Sequence, residues 1–261
     1  STRGVNTRGM PLDATAAIEL RRLDPKYLEA RVGTFRFYNP FIYVPPNGAT
    51  TANMRCPIAN DVTLLTAGAH MHARGIGYRA FADIAGAAPA GEPFYTTTEW
   101  QHPDYYVGGI GLPAGSSLRF SCDYANPTDR AVVQGPTADD EMCMLSAFYY
   151  PAQGYDDEIC AGMDSHGAGS RSCAQTLSCI QLCDPADAPR FTEGSAAVGA
   201  CFQKCVAESC ANVTGTLFPQ LLCTQAHCAE ACAAYGAECS ACVQDFCKPE
   251  LDACQALACD P

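Results

Sequence analysis

The sequence predicts a mainly β protein, an antiparallel β-sandwich of jelly-roll type, followed by a small α-helical domain stapled by disulfides. Three observations predict it: alternating apolar runs cut by Gly/Pro turns through residues 1–160, Ala/Gln/Glu-rich composition from Cys173 onward, and a cysteine density that jumps at the same place. In the first region Leu118, Phe120, Cys122 and Tyr124 alternate with period 2, as do Leu12, Ala14, Ala16, Ile18 and Leu20. Side chains at i and i+2 share one face of a strand, so each run reads as a half-buried strand. Turn signals stand at Pro45-Pro46-Asn47-Gly48, Leu112-Pro113-Ala114-Gly115 and Asn126-Pro127-Thr128-Asp129. Short strands with such punctuation favour a sandwich or barrel over a parallel α/β sheet. Residues 1–160 are therefore read as the sandwich, with 1–30 the remnant or edge of a missing domain N-terminal to it. Residues 151–172 are rich in Gly, Asp and Ser, and 161–172 reads as a linker. Residues 173–261 have helical composition with few β-branched residues.

Four of the 18 cysteines lie in residues 1–160, at Cys56, Cys122, Cys143 and Cys160, and fourteen lie in the last 89 residues. That tail density exceeds the ~8–10% that marks a disulfide scaffold. It implies an oxidising compartment, secreted, periplasmic or at the cell surface. Cysteines four apart share a helix face, so two antiparallel helices can be bridged like rungs. The nested expectation is 173–210, 179–205, 183–201, then 223–247, 228–242, 232–239, and finally 254–259, although other connectivities are open to the same spacing. A zinc reading of His227-Cys228 with Cys239-Ser240-Ala241-Cys242 is the weaker alternative, because no second His at ligand spacing follows.

Charge narrows the partners. The 261 residues carry 16 Lys and Arg against 28 Asp and Glu, a net charge of −12. With no basic run, nucleic acid and anionic membranes are excluded as partners on electrostatic grounds. No stretch reaches the ~18 consecutive apolar residues of a membrane span. The acidic clusters Asp139-Asp140-Glu141 and Asp156-Asp157-Glu158 could serve Ca²⁺, yet in so acidic a chain such loops are usually solvated.

The residues that point to chemistry are His70 and His72. They stand one residue apart at the end of an apolar run, and on a strand both imidazoles reach the same side. Alone, H-x-H is weak, since paired His are more often solvent-facing or hydrogen-bonded. The segments Thr63–Gly75, Leu118–Thr128 and Asp139–Pro151 together, however, resemble the C-terminal catalytic domain of the copper type II, ascorbate-dependent monooxygenases, the family of peptidylglycine alpha-hydroxylating and dopamine beta-monooxygenases. The resemblance implies one oxygen-activating copper ion held by His70, His72 and Met142, with ascorbate as reductant. A soft thioether beside two imidazoles suits Cu(I), the state that meets dioxygen. Met71 and Met144 are expected to be packing residues. The resemblance also implies the disulfides Cys122–Cys143 and Cys56–Cys160.

Departures from the family pattern shape the rest of the reading. Family catalysis uses a second copper bound by three His on a separate N-terminal domain. After His70 and His72, only His102, His166 and His227 remain here, in three separate segments. Asn6–Leu12 looks like the last strand of that other domain, so the chain reads as the C-terminal half of a two-domain ancestor. Gly68 stands where peptide-amidating members place a substrate-binding Arg, and Met144 and Ser146 stand where they place Asn and Tyr, which argues against a peptidylglycine substrate. Two functions are therefore expected. One is a copper monooxygenase half served by a partner domain or chain. The other is a non-catalytic, self-assembling, filament-like subunit on the same sandwich.

Overall fold

The computed structural model describes residues 15, 17–153, 158–161, 164–184, 190–192, 195–197, 199–233 and 236–259. It divides into two units, Ser1–Arg31 and Val32–Pro261. In the first, the described residues form one 3₁₀ turn, Pro25–Tyr27, whose Asp24 side chain accepts from the Lys26 amide. Of the alternation read there, Ile18 and Leu20 are the described members; they lie in no strand and are 81% and 89% exposed. Period-2 patterning becomes a strand only where a neighbouring strand pairs it and buries one face. Asn6–Leu12 lies outside the described residues.

The second unit opens with the sandwich. One sheet runs in the order β11-β1-β10-β4-β7, from β1 (Gly33–Tyr38), β4 (Val62–His70), β7 (Tyr106–Leu112), β10 (Met144–Tyr150) and β11 (Glu158–Ala161). The other runs β12-β3-β8-β5-β6, from β3 (Gly48–Pro57), β5 (Gly75–Asp83), β6 (Tyr95–Thr97), β8 (Ser117–Asn126) and β12 (Ser165–His166). Short strands β2 (Tyr43–Val44) and β9 (Val132–Val133) pair with each other. All pairings in the two large sheets are antiparallel except β1 with β11. The alternation in β8 is realised as read: Leu118, Phe120, Cys122 and Tyr124 are fully buried, facing Phe35, Phe37, Leu64, Leu145 and Tyr149 in one core. Both sandwich disulfides that the resemblance implies are present: Cys56 of β3 to Cys160 of β11 ties one sheet to the other, and Cys122 of β8 is bridged to Cys143, the residue just before β10.

The helical part holds α1 (Cys173–Ile180), α2 (Ala200–Ala207), α3 (Val213–Cys228), α4 (Ala237–Phe246) and α5 (Lys248–Ala256), with a hairpin of β13 (Arg190–Thr192) and β14 (Ser195–Ala197) between α1 and α2. Ser172 and Gln175 form a capping box at the start of α1, satisfying amides the helix leaves open. Five of the expected rungs are present: 179–205, 183–201, 223–247, 228–242 and 232–239. Two expectations are corrected. Cys173 joins Cys254 and Cys210 joins Cys259, in place of 173–210 and 254–259. The cause is that α5 folds back so that Cys254 is buried in the same apolar cluster as Cys173 and Ile180 of α1 and Leu217 and Phe218 of α3. All 18 cysteines are bridged, which leaves no thiolate for the zinc alternative.

The stretch read as a linker does more than connect. Ser165–His166 pair with β3, Ser165 is fully buried, and its carbonyl accepts from Thr214 Oγ1 of α3. Phe41, from the loop after β1, packs not in the sandwich core but against Phe202 and Phe218, with ring centroids 6.1 and 5.4 Å away. Sandwich and helices thus share a seam.

A pH-sensitive group sits in that seam. His166 Nδ1 is buried without a hydrogen-bond partner. Burial lowers its pKa below the usual 6.5, against the opposing pull of Asp164. The native state then takes up this proton less readily than the unfolded chain. The contribution to stability is fully present above about 6.5 and is lost as pH falls through the lowered native value. Asp164, raised by burial, acts with the opposite sign, so the histidine is isolated by substitution. The melting temperature of the wild type is expected to fall on acidification through this window, and His166→Gln to flatten that dependence. An unchanged slope in the variant would remove His166 from the account.

Candidate metal centre

His70 is the last residue of β4, and the chain leaves the sheet through Met71 and His72. The β4–β10 register sets His70 opposite Met144 and Gly68 opposite Ser146. Inward residues Ala67, Leu145 and Ala147 fill the core, so His70, Gly68, Met144 and Ser146 lie on the outer face. Met71 points the other way into the core, 1% exposed, as expected for a packing residue. Gly75 closes the turn: its amide donates to the His72 carbonyl at 3.0 Å, and a Cβ there would come within 2.8 Å of Met71 Cβ and Sδ. Any larger residue at 75 would push Met71 and the adjoining His out of place.

His72 is held from several sides. Its amide donates to Glu141 Oε2 at 2.9 Å, and the Arg74 amide donates to Glu141 Oε1 at 2.7 Å. Its Nδ1 lies 2.9 Å from the Asp140 carbonyl. A carbonyl can only accept, so Nδ1 carries the proton and Nε2 is left as the donor atom for a metal. The two imidazole centroids are 5.2 Å apart at 88°. Two ring nitrogens about 2.0–2.1 Å from one ion, at a tetrahedral angle, put their centroids roughly 5 Å apart. The pair is therefore spaced to share an ion.

Met142 enters this arrangement through its neighbours. The β4–β10 register ends at the His70–Met144 pair, and Met142 lies two residues before Met144, next to Glu141, which accepts from the His72 amide. The Met142 carbonyl accepts from Tyr124 Oη at 2.7 Å, a phenol that burial keeps protonated by raising its pKa well above 10. Cys143, next in the chain, is locked to Cys122. Met142 is half-buried, and Met144 beside His70 is likewise half-buried.

Sequence reasoning missed Glu141. It belongs to an acidic run read as a solvated loop or Ca²⁺ ligand, but its side chain is fully buried. Burial raises its pKa, with the Arg74 and His72 amides pulling it down. Asp140 accepts from Thr137 Oγ1 at 2.6 Å, while exposed Asp139 lies 3.4 Å from Arg130. The three carboxylates serve separate tasks, and the calcium reading of this run is withdrawn. Asp156-Asp157 lie outside the described residues. Glu141→Ala would leave two amides unsatisfied, at about 1–3 kcal/mol each. A loss of roughly 2–6 kcal/mol in urea unfolding is expected, and a loss under 1 kcal/mol would show that water replaces the carboxylate.

The other histidines are not brought here: His102 is in an exposed loop, His166 in β12 and His227 in α3. The described surface beside Arg74, Asp139 and Asn126 is an open cleft of about 860 Å³, adjoining the His72 turn but not lined by its imidazole.

A β-sandwich with an H-x-H pair at the end of β4, beside the disulfide-anchored segment that leads into β10, defines the class of a two-sheet domain with a candidate metal centre. The model of the copper type II ascorbate-dependent monooxygenase C-terminal domain matches residues 31–170, more than half of the chain. The chain belongs to that family. No curated protein matches it.

Proposed function

We propose that this chain is the oxygen-activating part of a secreted or cell-surface copper monooxygenase, with His70, His72 and Met142 holding one copper ion. The observation that carries the reading is the 5.2 Å spacing of the two imidazoles, with His72 Nδ1 committed to a carbonyl, inside the span matched by the family. Copper at such a site supplies dioxygen binding and the hydroxylation of a C–H bond. The chain's own residues hold that site open and rigid. Glu141 fixes the His72 turn, Tyr124 and the Cys122–Cys143 bridge fix the Met142 backbone, and Gly75 leaves room for Met71 beneath it. The nine disulfides suit an oxidising compartment. Among the described residues no helix is long and apolar enough to cross a membrane.

Hydroxylation consumes two electrons, and one copper centre stores one. With the other three histidines on separate elements, the second electron is assigned to a partner domain or chain carrying its own His cluster and fed by ascorbate. Two measurements test the reading. X-ray absorption of the copper-loaded, reduced protein should show a Cu–S component that Met142→Ala removes. A first shell of nitrogen and oxygen alone would take Met142 out of the site. Copper-loaded chain with ascorbate should not turn over alone, and should do so when a His-rich partner domain is added. Turnover by the chain alone at about 1–10³ s⁻¹ would overturn the need for a partner. Copper binding without turnover in either arrangement would favour the self-assembling, non-catalytic subunit.

A further inference from the structure

The helical part holds a cavity of about 230 Å³ between α1, α3, α4 and α5. Its floor is made by Ile180, Val243, Leu251 and Gln220, all buried. Gln181, Ser240, Gln244 and Gln255 stand exposed around its rim. Protein interiors pack as densely as organic crystals, and helices free to move would close over much of such a space. Here disulfides fix their spacing: Cys173–Cys254 ties α1 to α5, Cys228–Cys242 ties α3 to α4, and Cys223–Cys247 ties α3 to the residue between α4 and α5. The walls are set before any ligand arrives, which lowers the cost of binding.

Gln220 defines what such a ligand must carry. The residue is 4% exposed, and its Oε1 has no hydrogen-bond partner. Its Nε2 lies 3.0 Å from Thr224 Oγ1, and that hydroxyl donates its single proton to the Gln220 carbonyl, also at 3.0 Å. Thr224 can therefore only accept from the carboxamide, which fixes the orientation of the amide and leaves an acceptor, not a donor, unsatisfied. A buried acceptor without a partner is destabilising and calls for one. The terminal torsion of Gln is soft, so a small turn offers Oε1 to a donor inside the cavity.

We propose that this cavity is a binding site for a small, neutral, largely aliphatic alcohol, its hydroxyl donating to Gln220 Oε1 and its hydrocarbon part lying on Ile180, Val243 and Leu251. None of the described lining residues is charged or aromatic. An ionised ligand would be buried there without a counter-charge, and an aromatic one would find no ring to pair with. A dry cavity of about 150 Å³ takes benzene, so in proportion this one takes about nine non-hydrogen atoms.

The test is a titration of the full chain with its disulfides intact, read by NMR shifts of the Ile, Leu and Val methyl groups, with 1-octanol, its isomer heptyl methyl ether, and octanoate as probes. 1-Octanol is expected to bind with sub-millimolar affinity and to shift the methyls of Ile180, Val243 and Leu251. The ether matches it in size but donates no hydrogen bond, and should bind about tenfold more weakly; octanoate should not bind measurably. In Gln220→Leu the preference should vanish, with octanol weakened about tenfold to the level of the ether. That substitution removes an unpaired polar group and keeps most of the side-chain bulk, so the helical circular dichroism should be retained. Ser240→Trp, at the exposed rim, fills the mouth and should abolish binding of octanol and ether alike. The proposal is overturned if octanol fails to shift these methyls up to its solubility limit, which would mean a cavity that holds water only. It is equally overturned if the ether or octanoate binds as well as octanol, or if Gln220→Leu binds octanol unchanged. The comparison of probes is made on the wild-type chain, so it decides the matter even if a variant fails to fold. The cavity shares no residue with the histidine pair, and failure here leaves the copper assignment standing.

Discussion

Replacing either His70 or His72 with alanine is expected to abolish stoichiometric Cu(II) binding. Two imidazoles supply most of the affinity for the oxidised ion, and His72 enters the site with its tautomer already set by the Asp140 carbonyl. Met142→Ala should behave differently, leaving Cu(II) largely bound while weakening Cu(I) by at least about tenfold, since a thioether matters most to the soft, reduced ion. Met144→Leu distinguishes the two methionines, because Met144 stands opposite His70 in the register yet is assigned no bond to the metal. Equilibrium dialysis with Cu(II), and competition with a Cu(I) chelator under anaerobic conditions, reads all four variants. Wild-type Cu(II) stoichiometry in a His70→Ala/His72→Ala double variant would end the metal assignment. Loss of Cu(I) in Met144→Leu but not in Met142→Ala would exchange the roles of the two sulfurs.

Reduction of the disulfides should have the largest effect on stability, and it should strike the helices first. The described helices are eight to sixteen residues long, and helices of that size are marginal without tertiary support. The α3–α4–α5 cluster is small, with Cys228, Val243, Cys247 and Leu251 as its buried members. The sandwich instead has a core of large side chains, including Phe35, Phe37, Tyr78, Phe120, Tyr124 and Tyr149. With graded reductant, the helical circular dichroism signal should therefore disappear before the sheet signal. The Cys173–Cys254 bridge closes a separation of 81 residues. In the chain-entropy model it contributes about 4–5 kcal/mol, which Cys173→Ala/Cys254→Ala should forfeit in denaturant titration. Peptide mapping of the unreduced protein should recover 173 linked to 254 and 210 linked to 259, with no free thiol. Recovery of 173–210 and 254–259 would reject the α5 docking described here.

Much of the fold was legible because its signals are local. The buried face of β8 follows from alternation within ten residues, and the rungs 179–205 and 183–201 follow from cysteine spacing on two neighbouring helices. His70 and His72 were found because i and i+2 suffice to place both on one side. Ile18 and Leu20 show the limit of the same logic, since alternation without a pairing strand gives no strand among their described residues.

The remaining features depend on segments far apart in the chain. Phe41 joins the helical core because the loop after β1 meets α2 and α3, and Ser165–His166 become a strand because β3 has an open edge beside them. Glu141 is indistinguishable in sequence from its solvated acidic neighbours until the β4–β10 register brings it under the amides of His72 and Arg74. The amino-acid sequence by itself determined which faces are apolar, which residues are candidates for metal chemistry and which cysteines can bridge as adjacent rungs. Tertiary structure alone decided the 173–254 and 210–259 bridges, the burial of Glu141 and the cavity at Gln220. Periodicity is written in neighbouring residues, whereas a contact across dozens of residues depends on sheet register and docking, which no local repeat encodes.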